Sequence, residues 1–242
     1  MTRAHVVLAP HADDAVWSVG GRIAEWVGRG ERVTVVTAFD GAGPVPAQGW
    51  RAVAEPRLRR RENAAALRLL GTRAVSAGLP EAALRGDDGA PRYRTPRAVL
   101  GPVHERDRAL PGVLADAVRE QVAGALLHVP LAAGHHVDHV LTRRAAELLD
   151  DVRIAYYEDF PYRLRARDHR GLRGERVPVE VGTWLRAARE YRSQIAALFG
   201  STVDFEGELL ARARDRAVGT GWRYADRFWF RPGKSPIFGK ST

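Results

Sequence analysis

Two short runs rich in histidine and aspartate carry the residues that could do chemistry. The first is HADD at residues 11–14, directly after the apolar stretch 6–9, and the second is HVDH at residues 136–139. Imidazoles and carboxylates bind divalent metal ions, and beside such an ion they can also accept or donate a proton. The two runs therefore supply the ligands, the base and the oxyanion donor that a hydrolytic metal site needs.

Each run taken alone has an ordinary structural explanation, because acidic turns after strands often cap helices and loop histidines are often solvated. The adjacent carboxylates of Asp13 and Asp14 repel each other, and a cation would relieve that repulsion. His136 and His139 are three positions apart and so share one side of a helix. His135 is an alternative to His136 but lacks this spacing. Complementary ligand types after two different strands favour a single shared site.

Strand-like and helical patterns alternate along the first two thirds of the chain. This alternation predicts an α/β fold, a Rossmann-like and mainly parallel sheet flanked by helices. We expect a single domain over residues 1–231 and a C-terminal tail at 232–242. Predicted strands cover residues 5–9, 32–39, 74–79, 125–129, 154–158 and 177–181, and predicted helices cover 15–29, 57–70, 110–120, 139–149 and 184–199.

Both histidine-aspartate runs directly follow predicted strands. In open parallel sheets, ligands bind in the crevice outside the carboxyl ends of the strands. We therefore expect the runs at 11–14 and 136–139 to converge there despite their separation along the chain.

The composition excludes several classes of protein. The chain has 242 residues and no cysteine, which rules out disulfides, thiolate metal sites and cysteine nucleophiles. No apolar stretch suits a membrane span, and the first one is too short for a secretory signal, so we expect no membrane partner and a cytoplasmic protein. There is no G-x-G-x-x-G, P-loop or G-x-S-x-G motif.

The net charge of +9 would suit a nucleic-acid partner. The basic residues are scattered, however, apart from the arginine-rich run 57–61, which we interpret as one solvated helix face. We expect no nucleic-acid partner, and a non-catalytic basic binding module is the weaker alternative.

At these runs the chain resembles the LmbE-like, or PIG-L, metal-dependent N-deacetylases. That family shows a His-x-Asp-Asp run after its first strand and a His-x-Asp-His-like run after a later one. Weaker similarities lie at Arg59-x-x-Glu62 and at residues 79–81, which look like a family loop that contacts sugar hydroxyls. The similarity spans most of the chain, but only the two histidine-aspartate runs are specific.

The resemblance implies a zinc ion held by His11, Asp14 and His139. Three protein ligands leave one position of a tetrahedral zinc site open for water, as catalytic sites require. Another divalent metal, such as iron or cobalt, could occupy the same ligand set.

The resemblance also implies catalytic roles. Asp13 would be the general base, and His136 would polarise the carbonyl or protonate the leaving amine. Asp138 would hold His136, while Arg59 and Glu81 would contact substrate.

Some positions depart from the common family pattern. Many members have proline and glutamate where this chain has Ala12 and Ala15. Residues 15–18 and 158–162 look more like the branch that contains antibiotic-tailoring deacetylases. We therefore expect a zinc-dependent hydrolase that removes an N-acetyl or other N-acyl group from an amino-sugar-containing small molecule in antibiotic or other secondary metabolism. Action on a different amide is the alternative, and homo-oligomerisation stays open.

Overall fold

A seven-stranded sheet forms the centre of the computed structural model, which describes residues 3–150 and 152–233. The strands are β1 (Ala4–Ala9), β2 (Arg32–Thr37), β3 (Arg73–Ser76), β4 (Gly86–Asp87), β5 (Ala90–Pro91), β6 (Leu126–Pro130), β7 (Arg153–Tyr157), β8 (Arg173–Pro178) and β9 (Ala225–Phe230). The helices are α1 (Asp14–Gly28), α2 (Pro56–Leu70), α3 (Leu110–Val122), α4 (Val137–Glu147), α5 (Gly182–Ala188), α6 (Arg192–Leu198) and α7 (Thr202–Ala217).

The strand order in the sheet is β3-β2-β1-β6-β7-β9-β8, and β4 pairs with β5 in a separate small ribbon. The five strands from β3 to β7 in this order are parallel, whereas β9 runs antiparallel to both of its neighbours. The prediction of a single, mainly parallel α/β domain is therefore confirmed.

The central strands are buried on both faces, because side chains alternate between the two sides of a strand. Val7 and Ala9 of β1 pack in a cluster with residues of α1, α2, α5, α6 and α7. Val6 and Leu8 point the other way and pack with residues of α3 and α4. Helices thus cover both faces, which leaves the carboxyl ends of the strands as the place for a ligand.

The chain changes direction across the sheet between β1 and β6. It first builds outward from β1 to β2 and β3, and then returns to place β6 and β7 on the other side of β1. The loops that follow β1 and β6 therefore diverge and open a crevice between them. His11 and His136 lie in these two loops.

The expectation of one continuous helix at 184–199 is wrong. The chain forms α5 and α6 instead, and Tyr191 between them leaves the helical region with φ −82° and ψ 55°. This break buries the ring of Tyr191, whose hydroxyl donates to Asn63 Oδ1 at 2.9 Å. A buried tertiary contact therefore overrides a favourable local helical pattern.

Two other boundaries of the predicted elements differ or are left open. The strand expected at 177–181 begins earlier, as β8, and pairs with β9 in the segment after α7. The predicted tail at 232–242 lies outside the described residues from 234 onward. Within the described ranges, no helix is long and apolar enough to cross a membrane.

Candidate metal centre

The loop after β1 turns its acidic side chains back toward the sheet. Asp14 opens α1, and its Oδ2 accepts a hydrogen bond from the backbone N–H of His11 at 2.8 Å. The carboxylate also lies at the positive end of the helix, which favours a negative charge. These contacts fix the relative position of His11 and Asp14.

One oxygen of Asp14 lies between two imidazoles from the two separate loops. Asp14 Oδ2 is 3.2 Å from His11 Nδ1 and 3.3 Å from His139 Nε2. Ligand atoms about 2.0–2.1 Å from a tetrahedral zinc ion lie about 3.3 Å from one another. The two runs therefore do meet, and their spacing fits one divalent ion.

The charges around these groups favour a cation. Burial alone would lower the pKa of His11, but nearby carboxylates, first that of Glu81, raise this pKa well above its ordinary value. The pKa of His139 is likewise raised, because Asp14 and Asp159 outweigh its burial. Burial would raise the pKa of Asp14, yet the two imidazoles hold it far below its ordinary value. A bound metal ion would take the place of the protons on these imidazoles.

His136 lies beside the same point but has a different environment. Ligand nitrogens of His11, His136 and His139 all lie within 4.8 Å of one another, and all three side chains are buried. Burial, followed by the charge on His11, lowers the pKa of His136 well below its ordinary value. Its Nδ1 accepts the backbone N–H of Asp138 at 3.3 Å. By distance alone, His136 could be a further ligand or a nearby neutral donor.

The expectation that Asp138 holds His136 is wrong, because the side chain of Asp138 has other partners. Asp138 Oδ2 accepts from His11 Nε2 at 3.0 Å and from the backbone N–H of Ala82 at 2.8 Å. Residues two apart on a helix do not face each other, so the carboxylate points away from His136. Asp138 therefore orients His11, in the other run.

The network behind Asp138 was not predicted from the sequence. Arg85 donates to Asp138 Oδ1 at 2.6 Å and to Asp107 Oδ2 at 2.8 Å. All three side chains are almost fully buried, and the Arg85 charge holds the pKa of Asp138 far below its ordinary value, outweighing burial. No spacing pattern links these residues, because they come from three separate segments of the chain and Asp138 is already in the first turn of α4.

Asp159 is a second partner of the metal-ligand candidates that sequence reasoning missed. Its Oδ1 accepts from His139 Nδ1 at 2.6 Å, and its Oδ2 accepts from the backbone N–H of Ala133 at 3.0 Å. Asp159 follows β7, the neighbour of β6 in the sheet. An acidic residue at the carboxyl end of the next strand was the available signal, but the stretch 158–162 was interpreted only as a similarity to one branch of the family, with no role for Asp159.

Arg59 links the two other carboxylates of the site. It donates to Asp13 Oδ1 at 2.7 Å and to Glu81 Oε2 at 2.6 Å. Arg59 is buried, unlike Arg57 and Arg60 of the same run. Arg57, Arg60 and Arg61 are exposed, whereas Arg59, which we expected to contact substrate, faces the site. The structure brings all eight predicted site residues together.

A cavity of about 600 Å³ opens from this cluster. Its inner end is polar and includes His11, Asp13, Asp14, Arg59, Glu81, His136 and His139. Its outer walls come from residues 49–53, 96–100, 160–162 and 194–198 and are mainly apolar. Such a volume is in the range of about 300–1,000 Å³ in which proteins bind small organic molecules.

Residues 6–149, which contain both histidine-aspartate runs, match the PIG-L family, described as GlcNAc-PI de-N-acetylase. The chain belongs to this family. The expected family resemblance is therefore confirmed. The matched residues include all four candidate ligands, which are His11, Asp14, His136 and His139.

Two curated relatives of this PIG-L protein share one name with each other. It is 33% identical over 196 residues to a 2′-N-acetylparomamine deacetylase from Streptomyces fradiae, a match covering 76% of this chain and 63% of that protein. It is 26% identical to the 2′-N-acetylparomamine deacetylase of Niallia circulans, over 84% of each protein. The chain thus spans less than two thirds of the length of the Streptomyces relative.

A solved structure with a similar fold is the zinc-inhibited form of teicoplanin deacetylase Orf2. The TM-score is 0.78 at 25% sequence identity, with 96% of this chain and 100% of that chain covered. The relatives named here are deacetylases, and two different compounds, paromamine and teicoplanin, appear in their names.

Proposed function

We propose that this PIG-L protein is a zinc-dependent N-deacetylase of amino-sugar-containing small molecules in antibiotic or other secondary metabolism. The observation that carries the proposal is the position of Asp14 Oδ2 between His11 Nδ1 and His139 Nε2 at the inner end of the cavity. The names of the relatives, all deacetylases, support the choice of reaction.

His11, Asp14 and His139 are the proposed metal ligands, in preference to His136. In both His11 and His139, the ring nitrogen that faces away from Asp14 donates to a carboxylate, at 3.0 and 2.6 Å. Metal-binding histidines commonly have such a partner, which fixes the tautomer and the ring orientation. When bound, zinc supplies Lewis acidity, which lowers the pKa of water to about 7 and polarises an acyl carbonyl.

Asp13 is the proposed general base. Arg59 holds its Oδ1, whereas its Oδ2 has no hydrogen-bond donor among the described residues. Asp13 lines the cavity beside Asp14, so this second oxygen can accept a proton from water as the new C–O bond forms at the acyl carbon. The same carboxyl group can then pass that proton to the amine as the C–N bond breaks.

His136 is the proposed oxyanion donor. Because Nδ1 accepts the N–H of Asp138, the neutral ring carries its proton on Nε2. His136 lines the cavity, and an N–H directed at the acyl oxygen would stabilise the charge that develops there. This tautomer supports polarisation of the carbonyl rather than protonation of the amine.

The test combines metal content with acetate release. Protein loaded with zinc should bind one equivalent and release acetate from an N-acetylglucosaminide. The Asp13→Asn variant should keep the zinc but lose about 10²–10⁴-fold in kcat, the usual contribution of a general base. Asp40→Asn is the matched control, because Asp40 also follows a strand but lies outside the cavity.

The absence of acetate release by zinc-loaded protein from every N-acetylated amino sugar tried would reject the deacetylase proposal. A wild-type kcat for Asp13→Asn would reject the assignment of Asp13 as the base.

A further inference from the structure

The outer part of the cavity is built for apolar contact. Three of its wall segments are a 3₁₀ turn at Gly49–Ala54, a second at Ala98–Leu100 and the end of α6. The apolar side chains that these three segments contribute to the cavity are Trp50, Ala52, Val53, Val99, Leu100, Ala197 and Leu198. Leu100 and Leu198 are about half exposed, at 45% and 56%, so their apolar surface is available to a ligand.

The three carboxylates that line the cavity all lie at its inner end. Arg59 binds one oxygen of Asp13 and one of Glu81, the second oxygen of Asp13 is assigned to the reacting water, and Asp14 lies between two imidazoles. Among the described residues that line the cavity, no other carboxylate is present. A ligand with several ammonium groups would therefore lose water in the outer cavity without gaining a carboxylate partner, which is unfavourable.

The size of the cavity leaves space for more than the reacting sugar. About 600 Å³ is a volume in which proteins hold drug-sized ligands, and apart from Tyr162 and Gln194 the polar residues that line the cavity lie at its inner end. With the acetamido group placed at the candidate metal ligands, the group attached through the glycosidic bond would extend toward Leu100 and Leu198.

From this distribution we propose that the substrate is an N-acetylated amino sugar linked to an uncharged, apolar aglycone. The inference rests on the proposed deacetylase function and goes beyond it by choosing between substrate classes. An aminocyclitol aglycone that carries several positive charges is the class that the cavity disfavours. The +9 net charge of the whole chain acts in the same direction.

The experiment compares three substrates that share one reacting sugar. These are the phenyl and methyl α-glycosides of N-acetylglucosamine, and 2′-N-acetylparomamine, which has the same α linkage and an aglycone that bears amino groups. With zinc-loaded enzyme we expect kcat/KM to be about tenfold higher for the phenyl than for the methyl glycoside, mainly through KM, because the ring buries apolar surface. The paromamine derivative should be the slowest of the three.

Variants at the cavity mouth connect the preference to these residues. Leu100→Ser and Leu198→Ser should each reduce the phenyl-to-methyl ratio of kcat/KM toward one. Leu148→Ser is the matched control, since Leu148 is similarly exposed but lies at the end of α4, outside the cavity, and should leave the ratio unchanged.

The outcomes separate the two proposals. Equal kcat/KM for the phenyl and methyl glycosides, or fastest turnover of the paromamine derivative, would overturn the apolar-aglycone inference while leaving the deacetylase function in place. A ratio that is unaffected by both leucine changes would also overturn it. No acetate from any of the three substrates would reject the deacetylase function itself, and this inference with it.

Discussion

Asp159→Asn is the change that tests most directly how the candidate metal centre is held. The buried carboxylate receives two donors, His139 Nδ1 at 2.6 Å on one oxygen and the Ala133 backbone N–H at 3.0 Å on the other. Asparagine has nearly the same shape, so the fold should survive. Its amide offers only one acceptor oxygen, however, and cannot satisfy both donors.

Either orientation of the new amide is unfavourable. If its oxygen stays on His139, its NH₂ group meets the N–H of Ala133, and two donors face each other. If its oxygen turns to Ala133, its NH₂ group donates to His139 Nδ1, and the imidazole proton moves to Nε2. A protonated Nε2 cannot coordinate a metal ion, and this is the nitrogen that faces Asp14.

The size of the effect follows from the contact that is lost. A hydrogen bond to a charged group contributes about 1.5–3 kcal/mol, which corresponds to about 10–100-fold in a binding constant. Loss of a partner behind a metal ligand typically costs the same 10–100-fold in metal affinity. We therefore expect the zinc dissociation constant of Asp159→Asn to rise by about 10–100-fold.

The assay is competition for zinc between the protein and a chromophoric chelator, with circular dichroism to verify that the variant is folded. Asp168→Asn is the matched control, because Asp168 is also buried and accepts a backbone N–H, from Arg165, but the imidazole that it faces is that of His135, which is not one of the proposed ligands. A folded Asp159→Asn variant with wild-type zinc affinity would refute the tautomer argument and the assignment of His139 as a ligand.

Three further predictions concern other parts of the molecule. Gly134→Ala should lower the free energy of unfolding by about 1–3 kcal/mol and also reduce turnover, because φ of Gly134 is +79° and a Cβ there would lie 2.2 Å from Tyr162 Cδ1. Thermal unfolding and acetate release measure the two effects. Burial raises the pKa of Asp226 to about 7, so the folded state keeps a proton that the unfolded chain releases near pH 4. The free energy of unfolding should then fall by about 4 kcal/mol between about pH 4 and 7 relative to Asp226→Asn, and urea titrations across that range would detect the slope. Zinc at about 100 times its dissociation constant should raise the free energy of unfolding by about 2.7 kcal/mol, and a chelator should reverse this gain. Calorimetry with and without the metal measures the difference.

The parallel half of the fold could be predicted because its signals are local. β1, β2 and β6 are short Val- or Leu-containing stretches, and the next long element after each of them is a helix, α1, α2 and α4 respectively, with apolar residues at helical spacing. The C-terminal third lacks such signals. The packing of Tyr191 against Asn63, 128 positions away, decides where α5 ends, and a local pattern does not contain that information.

The same distinction separates the candidate ligands from their partners. Ligands come in compact runs, because one turn after a strand can present several side chains to one point, and such runs are visible in the sequence. Their partners have no such constraint: Asp138 serves the histidine of the other run, and Asp159 serves His139 from the next strand.

What determines these pairings is the order of strands in the sheet, β1-β6-β7, and not the order of residues in the chain. His11 follows β1, and its carboxylate partner, Asp138, lies at the start of α4, after β6. His139 also follows β6, and its carboxylate partner, Asp159, lies after β7. Each proposed histidine ligand is thus held by an acid from the next strand-end loop in the same direction across the sheet. A mutation in one of these loops should therefore change the zinc affinity through the histidine ligand in the neighbouring loop. Effects on zinc binding are expected to follow the adjacency of strands in the sheet rather than distance along the sequence.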